Sequence, residues 1–134
     1  MTDAVVFVSH FAIKEGSLAA LKQYAPQTAQ GLEEDKPRTS VFVAYISDDG
    51  GSASFVHVFA DADAMDAHIE GAMERSQAAY DFMQPDGWEI YGRASEAATQ
   101  MFEEAASLAG VALRVEPEFL AGFLRLESPS ERPN

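Results

Sequence analysis

The chain of 134 residues contains no cysteine, which excludes disulfides, thiolate metal sites and a cysteine nucleophile. No apolar run approaches the roughly 20 residues that a membrane-spanning helix needs. The N-terminus carries Asp3 and no basic region, so a secretory signal is not expected. Basic residues are scarce: nine Lys and Arg stand against 22 Asp and Glu, a net charge of −13. Those nine are scattered from Lys14 to Arg132, so nothing offsets the repulsion of a phosphate backbone. No Walker loop, dinucleotide-binding glycine pattern, G-x-S-x-G elbow or H-E-x-x-H motif occurs. These absences point to a cytoplasmic protein that binds neither nucleic acid nor membrane and whose acidity serves solubility.

What the chain does have is apolar content, 47% of residues, enough to build the core of one domain of this length. Ala4 to Phe11 is β-branched and aromatic and reads as a first strand. Ser17 is placed to cap a helix with Leu18, Leu21, Ala25 and Thr28 on one side, which Pro26 should kink or shorten. Val41 to Ile46 and Ser54 to Ala60 flank the turn signal Asp48-Asp49-Gly50-Gly51 and predict an antiparallel hairpin. Asp61 or Asp63 caps a second helix whose stripe runs Met65, Ile69, Met73, Ser76, Tyr80 and Met83, stopped by Pro85-Asp86-Gly87. Trp88 to Tyr91 is a short fourth strand. A third helix begins at Ser95 and ends before Gly110, and Val111–Glu116 and Phe119–Leu126 are further extended candidates.

The order is β-α-β-β-α-β, a ferredoxin-like α+β arrangement with an antiparallel sheet and a C-terminal helix and strand extension. We place the core at about 4–92, the extension at 93–127 and a loose tail at 128–134. Both faces of the strands are apolar: Val56 and Val58 oppose Phe55 and Phe59, and Val41, Val43 and Tyr45 oppose Phe42, Ala44 and Ile46. Two helices cover one face only. A homodimer with sheets facing each other would cover the second, as would the C-terminal extension.

The stretch from Phe59 to His68, with Phe59-Ala60-Asp61, Ala64 and His68, resembles the strand-to-helix pattern Y-x-D-x-x-A-x-x-x-H of the antibiotic biosynthesis monooxygenase-like family. Tyr45, Pro85, Ile90-Tyr91-Gly92 with Ser95, and Gly122-Phe123-x-Arg125 fit the same layout. The resemblance implies a dimeric α/β barrel with a pocket for a small aromatic or quinol. It implies a monooxygenase that uses O2 with no metal, flavin or other cofactor. On this reading His68 and His57 are the catalytic candidates, and Tyr45, Trp88, Tyr91, Phe59 and Met65 bind substrate.

Each candidate has a plainer reading. His68 edges an apolar helical stripe and His57 shares a strand face with Phe55 and Phe59, so both are also placed as core or interface histidines. Many members of that family carry a carboxylate at the position of His57, so this residue is a departure. The aromatics and methionines fill cores at these spacings as readily as pockets. His10 belongs to a rim or interface, and Arg93 and Arg125 are candidates to neutralise an oxyanion. No two of the three histidines have the spacing of a metal-binding helix. Ser76 to Tyr80 lacks the histidine that haem-degrading barrels use in this region. The alternative to an enzyme is a ligand-binding or structural dimer of the same fold.

Overall fold

Strand β1 (Val5–Ile13) is the central strand, paired along both edges and burying Val5, Phe7 and Ser9 on one face. The computed structural model describes residues 3–125; the expected tail at 128–134 and Leu126 lie outside them. β1 pairs antiparallel with β3 (Ser52–Phe59) and with β4 (Met83–Tyr91), and β3 pairs antiparallel with β2 (Thr39–Ile46). A fifth strand, β5 (Leu113–Glu116), joins β4 in parallel, so the sheet order is β2-β3-β1-β4-β5. The four-stranded part is the ferredoxin-like sheet that the element order implies, and β5 makes the whole sheet mixed.

Helices α1 (Leu18–Asp35), α2 (Ala62–Ile69), α3 (Ala72–Ala79) and α4 (Glu96–Ala109) supply the other layer. α2 starts where Asp61 accepts a bond from the Ala64 N–H at 2.8 Å, and α4 where Ser95 accepts from the Ala98 N–H at 3.0 Å. Gly110, with φ of 71°, closes α4 in the left-handed conformation that a residue without Cβ adopts freely. Val5, Phe7, Phe59, Met65, Ile90 and Phe102 belong to one core under α2 and α4. Leu21, Ala53 and Met83 centre a second core under α1.

Several expectations are corrected. Pro26 does not shorten α1, which continues for 18 residues through it; the helix forgoes the bond to the Lys22 carbonyl and is held by Leu21 and Leu32, both buried. Ser17 precedes α1 but its side chain makes no capping bond, because its backbone is already helical (φ −100°, ψ −4°) and does not aim the hydroxyl at the free N–H groups. The long second helix is two: α2 ends at Glu70, Gly71 turns the chain at φ 78°, and α3 restarts with no buried residue. Met73, expected in the buried stripe, is 76% exposed.

The fourth strand differs too. It begins at Met83 rather than Trp88, and Pro85-Asp86-Gly87 lies inside it. Pro85 is tolerated because β5 pairs only with Trp88 to Tyr91, so β4 is an edge strand at the proline. The register shift opposite His10 and Phe11 takes up Asp86 as a bulge. Beyond β5 the segment at 117–125 is not a strand, contrary to the extended reading of Phe119 onward.

Period-two alternation sorts the side chains between the two faces. Phe7, Ser9, Phe55, His57, Trp88 and Ile90 point toward the helices. Val6, Val8, Val41, Val43, Val56, Val58, Tyr45 and Tyr91 point away from them. On that outer face His10 Nε2 lies 2.9 Å from Glu89 Oε1, and His10 Nδ1 lies 3.0 Å from Ser54 Oγ.

Candidate functional site

Between the inner sheet face and the helices is a cavity of about 460 Å³. The sheet contributes Phe7, Ser9, Phe42, Phe55, His57 and Trp88 to its wall. α1 adds Leu21 and Tyr24, α3 adds Arg75 and Ser76, and α4 adds Met101 and Phe102. His68 comes from α2. The lining is apolar apart from a few groups, the composition of a site for an uncharged organic ligand.

The two histidines meet here, with ring centroids 5.0 Å apart and ring planes at 76°. His57 is held by the backbone: its Nδ1–H donates to the Phe7 carbonyl at 3.0 Å. Phe7 and Phe42 contact its ring at centroid distances of 5.1 and 5.0 Å. His68 is carried by the last turn of α2, and its Nδ1 lies 2.6 Å from Thr39 Oγ1. Phe59 packs on the His68 ring at 5.2 Å.

Local capping positions His68. The last carbonyls of a helix lack intrahelical donors, and here two cations supply them. Lys36 Nζ donates to the Ala67 and Glu70 carbonyls at 2.9 and 3.0 Å. Arg75 donates to the His68 and Glu70 carbonyls at 2.6 and 3.0 Å. Tyr24 OH donates in turn to the Arg75 carbonyl at 3.3 Å.

Both imidazoles are neutral at pH 7. Burial pushes His57 down to about 4, with nearby Arg75 acting in the same direction against the Phe7 and Phe55 carbonyls. Burial pushes His68 down to about 3, and His57, Arg75 and Lys36 lower it further. The cations that cap α2 thus also disfavour charge on the histidine it carries. Two neutral imidazoles in an apolar cavity can accept and donate protons without a resident counter-ion.

Of the catalytic and substrate-binding candidates named from the sequence, His57, His68 and Trp88 reach this cavity. Phe59 and Met65 are fully buried behind it, Phe59 in contact with both histidine rings. Tyr45 and Tyr91 lie on the opposite face of the sheet, Tyr45 66% exposed. Arg93 pairs with Glu118, and the Arg125 guanidinium lies 4.6 Å from the centre of the Phe123 ring, both away from the cavity. Among the described residues no three His, Asp or Glu side chains converge as metal ligands. None of their helices is long and apolar enough to cross a membrane.

Thr39, Phe42, Arg75 and Phe102 are not among the site candidates that the sequence suggests. Phe42 carried a usable signal, since it falls at hairpin register opposite His57. Arg75 and Phe102 carried none beyond helical spacing.

No family model matches the chain, and no curated protein matches it. Solved structures do. MupZ from Pseudomonas fluorescens superposes with a TM-score of 0.71 over 96% of this chain and 95% of its own, at 15% identity. SnoaB from Streptomyces nogalater, a cofactor-independent oxygenase, matches at 0.58 over 70% and 96%, at 18% identity. A candidate antibiotic biosynthesis monooxygenase from Deinococcus radiodurans matches at 0.56 over 68% and 93%, at 14% identity. The chain therefore has the ferredoxin-like α+β fold of the antibiotic biosynthesis monooxygenase-like proteins.

Proposed function

We propose that the protein is a cofactor-independent monooxygenase acting on a small aromatic or quinol. The observation that carries this reading is an apolar cavity of about 460 Å³, a volume suited to such a ligand, with two neutral histidines in its wall. The cofactor-free activity of SnoaB, which shares the fold, supports it. A histidine takes a proton from an activated C–H or O–H, leaving a delocalised carbanion or phenolate. That anion passes one electron to O2, the resulting radical pair combines to a peroxide anion, and the imidazolium returns its proton to give a hydroperoxide. Loss of water from the hydroperoxide leaves one oxygen atom in a new carbonyl, and the other departs in the water. The apolar wall excludes bulk water from the anion.

Oxygen uptake is measured on a panel of quinols and hydroxy-aromatics. The expected result is protein-dependent uptake that falls about 10²- to 10⁴-fold in His57→Ala or His68→Ala, the usual worth of a general base. Equal uptake with and without protein across the panel would sink the proposal.

We also infer a homodimer through the outer sheet face. Six valines there form an apolar surface that none of the described helices covers. Light scattering at micromolar concentration is expected to give twice the 14.5 kDa chain mass. Val56→Asp, at the centre of that face opposite Val8 and Val43, is expected to give the monomer. A monomeric wild type would overturn the inference.

A further inference from the structure

We propose that the two cavity histidines are preset as opposite tautomers, His57 as proton acceptor and His68 as hydrogen-bond donor, with Thr39 as the positioning residue for His68. The assignment deepens the acid–base reading of the same cavity and rests on it for its chemistry.

A carbonyl oxygen can only accept. The 3.0 Å contact to the Phe7 carbonyl therefore places the proton of neutral His57 on Nδ1 and leaves a lone pair on Nε2. His68 differs because its Nδ1 faces a hydroxyl, 2.6 Å away. The Thr39 hydroxyl makes no second hydrogen bond among the described residues, and giving its proton to Nδ1 is the direction that uses that proton, so the hydroxyl is assigned as donor and Nδ1 as acceptor. The proton of neutral His68 is then on Nε2. Among the described residues no buried side-chain nitrogen or oxygen lacks a partner. The two Nε2 atoms, which have none, consequently open onto the cavity.

The backbone shows how Thr39 comes to face His68. Thr39 pairs with Phe59 and Val41 with Val58, so Ser40 is an extra residue in β2. Without that bulge Thr39 would share the outward face of Val41. The bulge turns its hydroxyl toward the helices, the known use of such an insertion to re-aim a side chain. A ligand hydroxyl can then give its proton to His57 Nε2 while His68 Nε2–H donates to the oxyanion or to a neighbouring carbonyl oxygen. Proton acceptor and anion stabiliser stand side by side.

The test is ¹⁵N-resolved imidazole NMR on the ligand-free protein at pH 7, with signals assigned through His57→Gln and His68→Gln. The expected pattern is Nδ1–H for His57 and Nε2–H for His68. In Thr39→Val the His68 signals should shift toward Nδ1–H while those of His57 stay, and Thr39→Ser should retain the wild-type pattern. His68 found as Nδ1–H, or unchanged by Thr39→Val, overturns the proposal. On any compound that turns over, Thr39→Val should lower kcat about 10-fold with KM little changed, and Thr39→Ser should restore it. An unchanged kcat in Thr39→Val would likewise overturn the positioning role. The expected tautomers with no turnover on any compound would count against the oxygenase reading and leave this one standing.

Discussion

Lowering the pH from 7 to 4 should destabilise the wild-type protein by about 3 kcal/mol more than it destabilises His57→Gln. His57 has a folded pKa of about 4 against an ordinary 6.5. As pH falls below 6.5 the unfolded chain binds a proton that the folded chain refuses, so unfolding becomes easier. The effect is absent above about pH 7, grows down to about pH 4, and stops growing once the folded imidazole also protonates. His68 adds a contribution of the same sign over a window reaching about pH 3. Glutamine keeps an N–H able to reach the Phe7 carbonyl but has nothing to titrate, so the comparison isolates the charge. Relief of acidic self-repulsion, expected in a chain of net charge −13, is common to both proteins and cancels. Urea unfolding at pH 7, 5.5 and 4 measures the difference, and parallel curves would contradict a buried neutral His57.

Phe102→Ala should cost about 3 kcal/mol and lower Tm by about 10 °C. Phe102 is the largest of the three buried side chains of α4, beside Ala98 and Ala106, with its ring 4.5 Å from that of Phe7 and 5.7 Å from that of Trp88. The cost should fall at the lower end of the usual range for losing a buried phenylalanine, because one side of the ring already opens onto the cavity. Leu108→Ala on the same helix is the control: Leu108 is 90% exposed, and its truncation should change little. If the two variants melt together, α4 is not docked through Phe102. The truncation also enlarges the cavity, so bulkier panel compounds should gain affinity relative to smaller ones.

The parts of the fold legible in the sequence were those set by local chemistry. Asp61 and Ser95 cap where a side-chain oxygen precedes a helical pattern, Gly110 ends α4, and the Asp-Asp-Gly-Gly turn joins β2 to β3. What failed was set by distant partners. Met83 to Gly87 looks like a helix end and a turn, and becomes strand because β1 offers Phe11 to Ile13 as a ladder. Gly71 splits α2 from α3, and Lys36 and Arg75, from outside α2, satisfy the carbonyls that the split leaves.

For the site, the two histidines were legible because each sits on an apolar face. Tyr91 and Trp88 are three residues apart on one strand, which puts them on opposite faces; only Trp88 reaches the cavity. Thr39 was hidden for the reverse reason. Simple alternation in β2 would send it outward, and only the extra residue at Ser40 turns it in.

The short β5 has a consequence for behaviour at high concentration. A sheet whose border strand is long and bare invites other chains to add to it and grow into fibrils. Here β5 closes the border along Trp88 to Tyr91 and carries Arg114 and Glu116, while Pro85 interrupts the rest of β4. On this side the border is only four residues long and charged, so β2 is the more inviting edge for any runaway stacking of chains.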